Sequence, residues 1–509
     1  MRRWRLDLDP TALAFGAASL TLVLHLAVAG RYGFFRDELY FIACGRHPAF
    51  GYVDQPPLVP LIAAATQLFG ADLFLLRAVA AMAAAGTVLV ACALVRLAGG
   101  GPFAIVLAGL AVATCPMFVG SDGTLNTSAF EPLAWTLLAY FLARAALRDD
   151  RLGLLWAGIV IGVALEIKYQ IPFYIGPLVL ALLFTPERRL LFTRQAWIGA
   201  LTAAAIAAPS IIWQALHGFP FVELLHNGAS GKNEVYSPLV FVLQQVKVMN
   251  PLFAPIWIAG LVAALVGKRF VRLRFLGIAF ALTFALMLAL HAKDYYLAGL
   301  YAPMFALGAI VVESAVRSQA LRAAYAVAGV ILAALSWPIA LPILDPPQLV
   351  RYESALHLRP DVEEASNRGQ AIPQNLADQL GWRELERAVA AVYRSLPLDE
   401  RKRAAIIASN YGEAGALDFY GPADGLPPAL SGHNNYYLWG THGYDGSVIV
   451  RVNSSDVSFW KQHCHSLRIA ARFGDSPYVE PYERARPILV CRGFYRPLAA
   501  DWPEFKFYY

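Results

Sequence analysis

Charged side chains are scarce: Asp, Glu, Lys and Arg make up 15% of the 509 residues, against roughly 25% in soluble globular chains. With 58% hydrophobic residues and a mean hydropathy of +0.49, that scarcity excludes a soluble globular protein and leaves a polytopic membrane protein. The net charge is +6, yet Lys and Arg are scattered between apolar runs, with no basic segment of the kind that binds nucleic acid. Cysteine is also rare. The five present form no CxxC pair and no Cys/His zinc spacing, and only Cys464 and Cys491 are placed to pair, provided their segment lies in an oxidising compartment. A glycine loop for nucleotide phosphates is missing as well, since GGG at 99–101 reads as a turn, and no internal repeat is evident.

What the chain has in quantity is long apolar runs. About eleven are long enough to cross a bilayer as helices, near 11–30, 74–97, 103–119, 129–147, 153–167, 171–185, 196–214, 238–266, 275–291, 296–313 and 323–343. A further run at 58–69 is too short to cross and reads as re-entrant or interfacial. Every second connection is basic: Arg2, Arg3 and Arg5 come before the first run, Arg144, Arg148 and Arg151 join the fourth and fifth, and Lys268, Arg269, Arg272 and Arg274 join the eighth and ninth. Basic connections stay in the cytoplasm. The alternation therefore puts the N-terminus inside, and 31–73 and everything after about 344 outside. A signal peptide cut after Ala29 is the alternative for the first run, disfavoured by Asp7 and Asp9 in what would be its basic leader.

The stretch Phe34–Pro57 then stands out, because Arg36, Asp37, Glu38, Arg46, His47 and Asp54 lie among aromatics directly after a spanning run. Ionisable groups at membrane depth are costly unless they sit in headgroups or around a polar site. Further polar groups gather on the same outer side, including Asp122, Asn126, Glu131, Glu166, Lys168, His217, Lys232, Lys293, Asp294 and Tyr295. Interfacial solvation of Asp37 and Glu38, and snorkelling by Lys168 and Lys293, are the bland readings. The alternative is chemistry on a lipid-linked anionic donor, in which a carboxylate takes the proton of an attacking hydroxyl. The leaving phosphate would then meet Lys, Arg or a divalent metal.

Five stretches carry a resemblance: RDELYFIACGRHPAFGYVDQPPLVP at 36–60, NTSAFEPLAW at 126–135, ALEIKYQ at 164–170, KDYYLAGLYAPMFALGA at 293–309 and SNYGEAGALDFYG at 409–421. In this order they resemble glycosyltransferase family 39, which covers protein O-mannosyltransferases, lipid A aminoarabinose transferases and relatives of rhizobial lipid A galacturonosyl transferases. The resemblance implies a polytopic α-helical membrane protein of GT-C type, a polyprenyl-phosphate sugar donor, an envelope acceptor, and inverting transfer on the outer face of the cytoplasmic membrane. By position it implies Asp37 as general base with Glu38 its neighbour, Glu131 as the second-loop acid, and Lys168, Gln55, Lys293 and Tyr295 on the donor phosphate. Asp54 falls at a position where relatives hold a metal, which makes Mg, Mn or Zn the candidate cofactor. Gln55 departs from the family's Lys or His and is a poor metal ligand.

After about 344 the composition changes. WRELERAVAAVYRSL at 382–396 has helical periodicity, and RAAIIASN, PALSG, SVIVRVN and RPILVCRG read as short strands. The expectation is a transmembrane domain over 1–344, carrying the outer loop 31–73, and an extracytoplasmic α/β domain over 345–509. Glu413 and His433 are candidate acceptor-side residues of that second domain, or else they satisfy loop backbones. A transporter or lipid flippase is the competing function. It would place charges near the bilayer midplane and show repeats, whereas here the acids gather on one face.

Overall fold

Ala- and Leu-rich runs with few charges leave the backbone no partner in lipid except itself, so they close their hydrogen bonds as helices. The computed structural model of the chain describes residues 9–70, 72–229, 236–360, 364–454 and 456–509. Arg2, Arg3, Arg5, Asp7 and Lys232 lie outside the described residues. Among the described residues, six helices are long and apolar enough to cross a membrane: Pro10–Val28, Leu73–Leu97, Arg194–Leu216, Lys268–Ala289, Asp294–Ala315 and Gln319–Ala340. Glu131–Arg148 and the shorter Pro102–Thr114, Leu152–Leu165, Pro172–Leu183, Pro238–Val248 and Ala254–Val266 lie within the remaining expected runs.

Two runs differ in detail, and the one expected over 103–119 is the helices Pro102–Thr114 and Pro116–Ser121, parted at the extended Cys115. The span expected over 238–266 is two helices, because Asn250 turns the chain with φ of +63°. Its side-chain amide donates to the Gly329 carbonyl at 2.8 Å and accepts from Leu252 N–H at 3.0 Å, which satisfies the backbone groups that the break leaves open. The short run at 58–69 becomes the helix Leu58–Gln67.

Contacts divide the chain into two compact units. The first holds Met1–Gly30, Leu73–Pro209 and Val235–Ile343. Within it, Ala254–Val266 and Ala298–Ala315 cross backbone to backbone: a Cβ on Gly260 would lie 2.0 Å from the Met304 carbonyl oxygen, and one on Gly308 1.8 Å from that of Ile256. Small residues at a crossing give this close approach in membranes, where burial of apolar surface drives little. Trp135, Phe253, Phe275, Tyr301 and Phe305 fill the core of the unit.

The second unit holds Arg31–Asp72, Ser210–Glu234 and Leu344–Tyr509, so the segment after the first helix groups by contacts with the C-terminal residues. Its centre is a five-stranded mixed sheet of β1 (Ala404–Ala408), β2 (Ala429–Ser431), β3 (Val448–Val452), β4 (Cys464–Phe473) and β5 (Arg486–Phe494), in the order β2-β1-β3-β5-β4. Strand β1 runs parallel to both neighbours, with Ile406 opposite Ala429 and Val450, and β5 is antiparallel to β3 and β4. All five β1 residues are buried, as a strand covered on both faces requires. Cys464 and Cys491 form a disulfide between β4 and β5. Beside the sheet, the helix Tyr411–Tyr420 packs on the helix Arg36–Arg46, and a Cβ on Gly415 would lie 3.0 Å from the Leu39 backbone.

Candidate active site

In the second unit the acidic pair is split by its helix. Phe35 is extended (φ −70°, ψ 146°), and the helix Arg36–Arg46 starts where the Glu38 carboxylate accepts the Phe35 N–H at 2.7 Å. Glu38 thereby caps a helix end that would otherwise leave donors open, and it is fully buried. Asp37, one position earlier, keeps 28% of its side chain exposed. Its Oδ1 accepts the Tyr411 hydroxyl at 2.8 Å and lies 3.5 Å from Arg36 Nε, while Oδ2 has no hydrogen-bond partner among the described residues.

Arg36 lies behind this carboxylate. Its Nη1 donates to the Tyr482 hydroxyl at 2.8 Å and is 3.7 Å from Asp378 Oδ1, and its guanidinium stands 5.5 Å over the Tyr411 ring. Gly412 makes room for it, since a Cβ there would lie 2.4 Å from Arg36 Cγ. Burial pushes the Asp378 carboxyl up to about 6 against the pull of Arg36. Next to it, burial and the Asp378 charge push Glu480 up to about 9. Burial also raises the phenols of Tyr40 and Tyr411 well above their ordinary range, so both stay protonated donors.

Tyr411 stacks on Tyr40 with centroids 4.5 Å apart, and the Tyr40 hydroxyl donates to Asp54 Oδ1 at 2.8 Å. Gln55, beside it, is buried with its Nε2 4.0 Å from Cys44 Sγ and its Oε1 without a hydrogen-bond partner among the described residues. Glu413 is fully buried in the second unit, where its carboxylate accepts from Ser409 N–H at 2.7 Å and from the amides of Asn410 and Asn453. His433 Nδ1 accepts the Tyr411 N–H at 3.4 Å, and its Nε2 pairs with the Tyr509 carbonyl at 3.1 Å.

The first unit holds a separate basic and aromatic group. Asn126 accepts the Ala129 N–H at 2.9 Å and so fixes the turn Thr127–Phe130, which presents Ser128 and leads into Glu131. Lys168 Nζ donates to Ser128 Oγ at 2.8 Å and to Glu131 Oε2 at 2.9 Å, and it stands 4.8 Å from the Tyr296 ring centroid and 5.9 Å from that of Tyr295. Lys293 Nζ lies 5.8 Å over the other contact of this group, the Tyr295 ring. Gln170 ties the loop down by donating to the Tyr296 carbonyl at 3.2 Å. Glu131 Oε1 and Trp135 Nε1 are buried without protein partners among the described residues, and both residues line a cavity of about 10 Å³, room for about one water.

Residues 54–213 match the sequence model of the family described as dolichyl-phosphate-mannose-protein mannosyltransferase. The structure superposes on ArnT from Cupriavidus metallidurans bound to undecaprenyl phosphate with a TM-score of 0.61 at 13% identity, covering 94% of this chain and 98% of that one. This is the GT-C fold. The apo state of the same GT-C protein superposes with a TM-score of 0.58 at 14% identity, over 94% of this chain and 97% of the other. No curated protein matches by sequence.

At the position where a divalent metal is expected, Asp54 and Gln55 offer one carboxylate and one neutral amide. Asp54 Oδ1 accepts a phenol hydrogen bond and Gln55 is a buried neutral amide, and among the described residues no three His, Cys, Asp or Glu side chains gather to hold an ion. Tyr40, Tyr411, Asp378, Tyr482 and Ser128 are the participants that sequence reasoning did not single out. Tyr40 and Tyr411 stand inside the stretches quoted for the resemblance, where an aromatic beside an acid was the available signal.

Proposed function

We propose that this protein is an inverting glycosyltransferase that moves a sugar from a polyprenyl-phosphate donor to an envelope acceptor, lipid, polysaccharide or protein, on the outer face of a bacterial cytoplasmic membrane. Asp37 carries the reading: a part-exposed carboxylate with one oxygen held by Tyr411 and the other without a hydrogen-bond partner among the described residues. As the acceptor oxygen bonds to the anomeric carbon, Asp37 Oδ2 takes its proton, and the sugar–phosphate bond breaks with its electron pair leaving on the phosphate. A base in this role contributes about 10²–10⁴-fold. Lys168, steadied by Glu131, and Lys293 beside Tyr295 meet the phosphate's charge, which is where fixed positive groups act most strongly.

The fold shared with a protein bound to undecaprenyl phosphate supports the donor class. The alternation of basic connections supports a cytoplasmic N-terminus, and the Cys464–Cys491 disulfide supports an oxidising, extracytoplasmic setting for the C-terminal residues. The test is label transfer from a panel of polyprenyl-phosphate sugars into membranes. Asp37→Asn, folded to the wild-type level, is expected to lose at least about 100-fold in rate; full transfer by that variant removes Asp37 from the mechanism.

A further inference from the structure

Tyr411 is held on every side. Its ring stacks on Tyr40 at 4.5 Å, lies 4.7 Å from the His433 ring, and has the Arg36 guanidinium 5.5 Å above it. Its backbone opens the helix Tyr411–Tyr420, where Asn410 caps the Glu413 N–H at 2.9 Å and His433 Nδ1 accepts the Tyr411 N–H. Only 9% of the residue is exposed. The phenol therefore has little freedom to rotate, and its hydroxyl donates to Asp37, a side chain that is itself 28% exposed and whose other polar contact among the described residues is the longer 3.5 Å approach of Arg36 Nε to the same Oδ1.

We infer that Tyr411 is a positioning residue for the reaction proposed above: it fixes the Asp37 carboxylate so that Oδ2 is presented to the acceptor hydroxyl. The C-terminal part of the chain, on this reading, completes the base. Burial alone does not account for the arrangement, since a ring that only filled space would be served as well by phenylalanine. Near-attack geometry does account for it, because displacing a reacting group by about 1 Å costs on the order of 10²-fold in rate. A hydrogen bond to a charged group has a similar worth.

This inference rests on Asp37 being the base, and the experiment keeps the two separable. Full-length wild type, Tyr411→Phe, Tyr411→Leu, Asp37→Asn and the Tyr411→Phe/Asp37→Asn double variant are compared in lipid nanodiscs. The probe is whichever undecaprenyl-phosphate sugar the wild type turns over. Tyr411→Phe keeps the stack and the fold, and is expected to lower kcat by about 10–100-fold with the donor KM within about twofold of wild type. Because both changes act through one carboxylate, the double variant is expected to be no slower than Asp37→Asn alone. If Tyr411→Phe keeps wild-type kcat while Asp37→Asn is inactive, positioning by Tyr411 is overturned and the base stands. The same holds if Tyr411→Phe is active and only Tyr411→Leu fails, which is the pattern of a packing role. If Asp37→Asn is itself active, the base reading fails first.

Discussion

Lys168 has two jobs in this scheme, and a substitution pair separates them. Its ammonium stands 2.9 Å from Glu131 Oε2, with side chains 20% and 10% exposed. Removing one member of a buried pair strands the other charge at about 3–5 kcal/mol, and partial solvent access brings that toward about 2 kcal/mol here. Lys168→Met is therefore expected to lower stability by about 2 kcal/mol, read from thermal unfolding of the purified protein in detergent. Lys168→Met/Glu131→Gln removes both charges and is expected to regain most of that loss, within about 1 kcal/mol of wild type. Transfer should behave differently. If the ammonium meets the donor phosphate, both variants lose on the order of 10²-fold in kcat/KM, because restoring the fold does not restore the positive charge. A double variant that recovers stability and transfer together would refute the phosphate role and leave Lys168 as a partner for Glu131 alone.

Two further outcomes follow from the second unit. The disulfide between Cys464 and Cys491 closes a separation of 27 residues, so Cys464→Ser/Cys491→Ser is expected to cost about 3 kcal/mol in the unfolding of that unit; an unchanged denaturation midpoint would contradict this. Glu480 has both carboxylate oxygens buried without hydrogen-bond partners among the described residues, near Asp378, and its folded value stands near 9. The folded state holds that proton while the unfolded chain releases it in the ordinary carboxylate range. Its contribution is thus fully present below about pH 4 and lost as pH rises toward 9, at no more than about 1.4 kcal/mol per pH unit. Glu480→Gln should flatten the fall in unfolding temperature between pH 6 and pH 9, and equal pH sensitivity in both proteins would sink the assignment.

Spans were legible because the bilayer imposes length and apolarity locally, within each run. The break at Asn250 was overridden by that same signal: the Asn-Pro pair marks a turn, but the apolar residues on either side read as one crossing. Strands β1, β2, β3 and β5 were legible as short apolar runs, whereas β4 was not. Of its ten residues only Cys464 and Phe473 are buried, so an edge strand of this kind shows no alternating face. Asp37 announced itself by being charged beside an apolar span. Tyr411, its partner, is 374 residues away, and no periodicity or spacing in one sequence joins residues so far apart.

Composition suggests a cut near 344 between a membrane domain and an appended domain, but the contacts around Asp37 run across that position. Arg36 is steadied by Asp378 and Tyr482, Asp37 by Tyr411, and Tyr40 by the Asn435 N–H at 3.3 Å. The Gly33 and Arg36 N–H groups donate to the Gln379 and Asp378 carbonyls at 3.1 and 3.0 Å. These are backbone bonds that this segment in isolation would have to replace with water. An arginine and a carboxylate adjacent in sequence at a helix start, with no later chain to hold them, would pair with each other or with solvent in many rotamers, and each rotamer-rich side chain costs roughly 1.5–2 kcal/mol to fix. The C-terminal chain supplies that ordering in the folded protein before any substrate arrives. Glycine at 412 and 415 leaves the room this needs, since a Cβ would meet Arg36 Cγ at the first and the Leu39 backbone at the second.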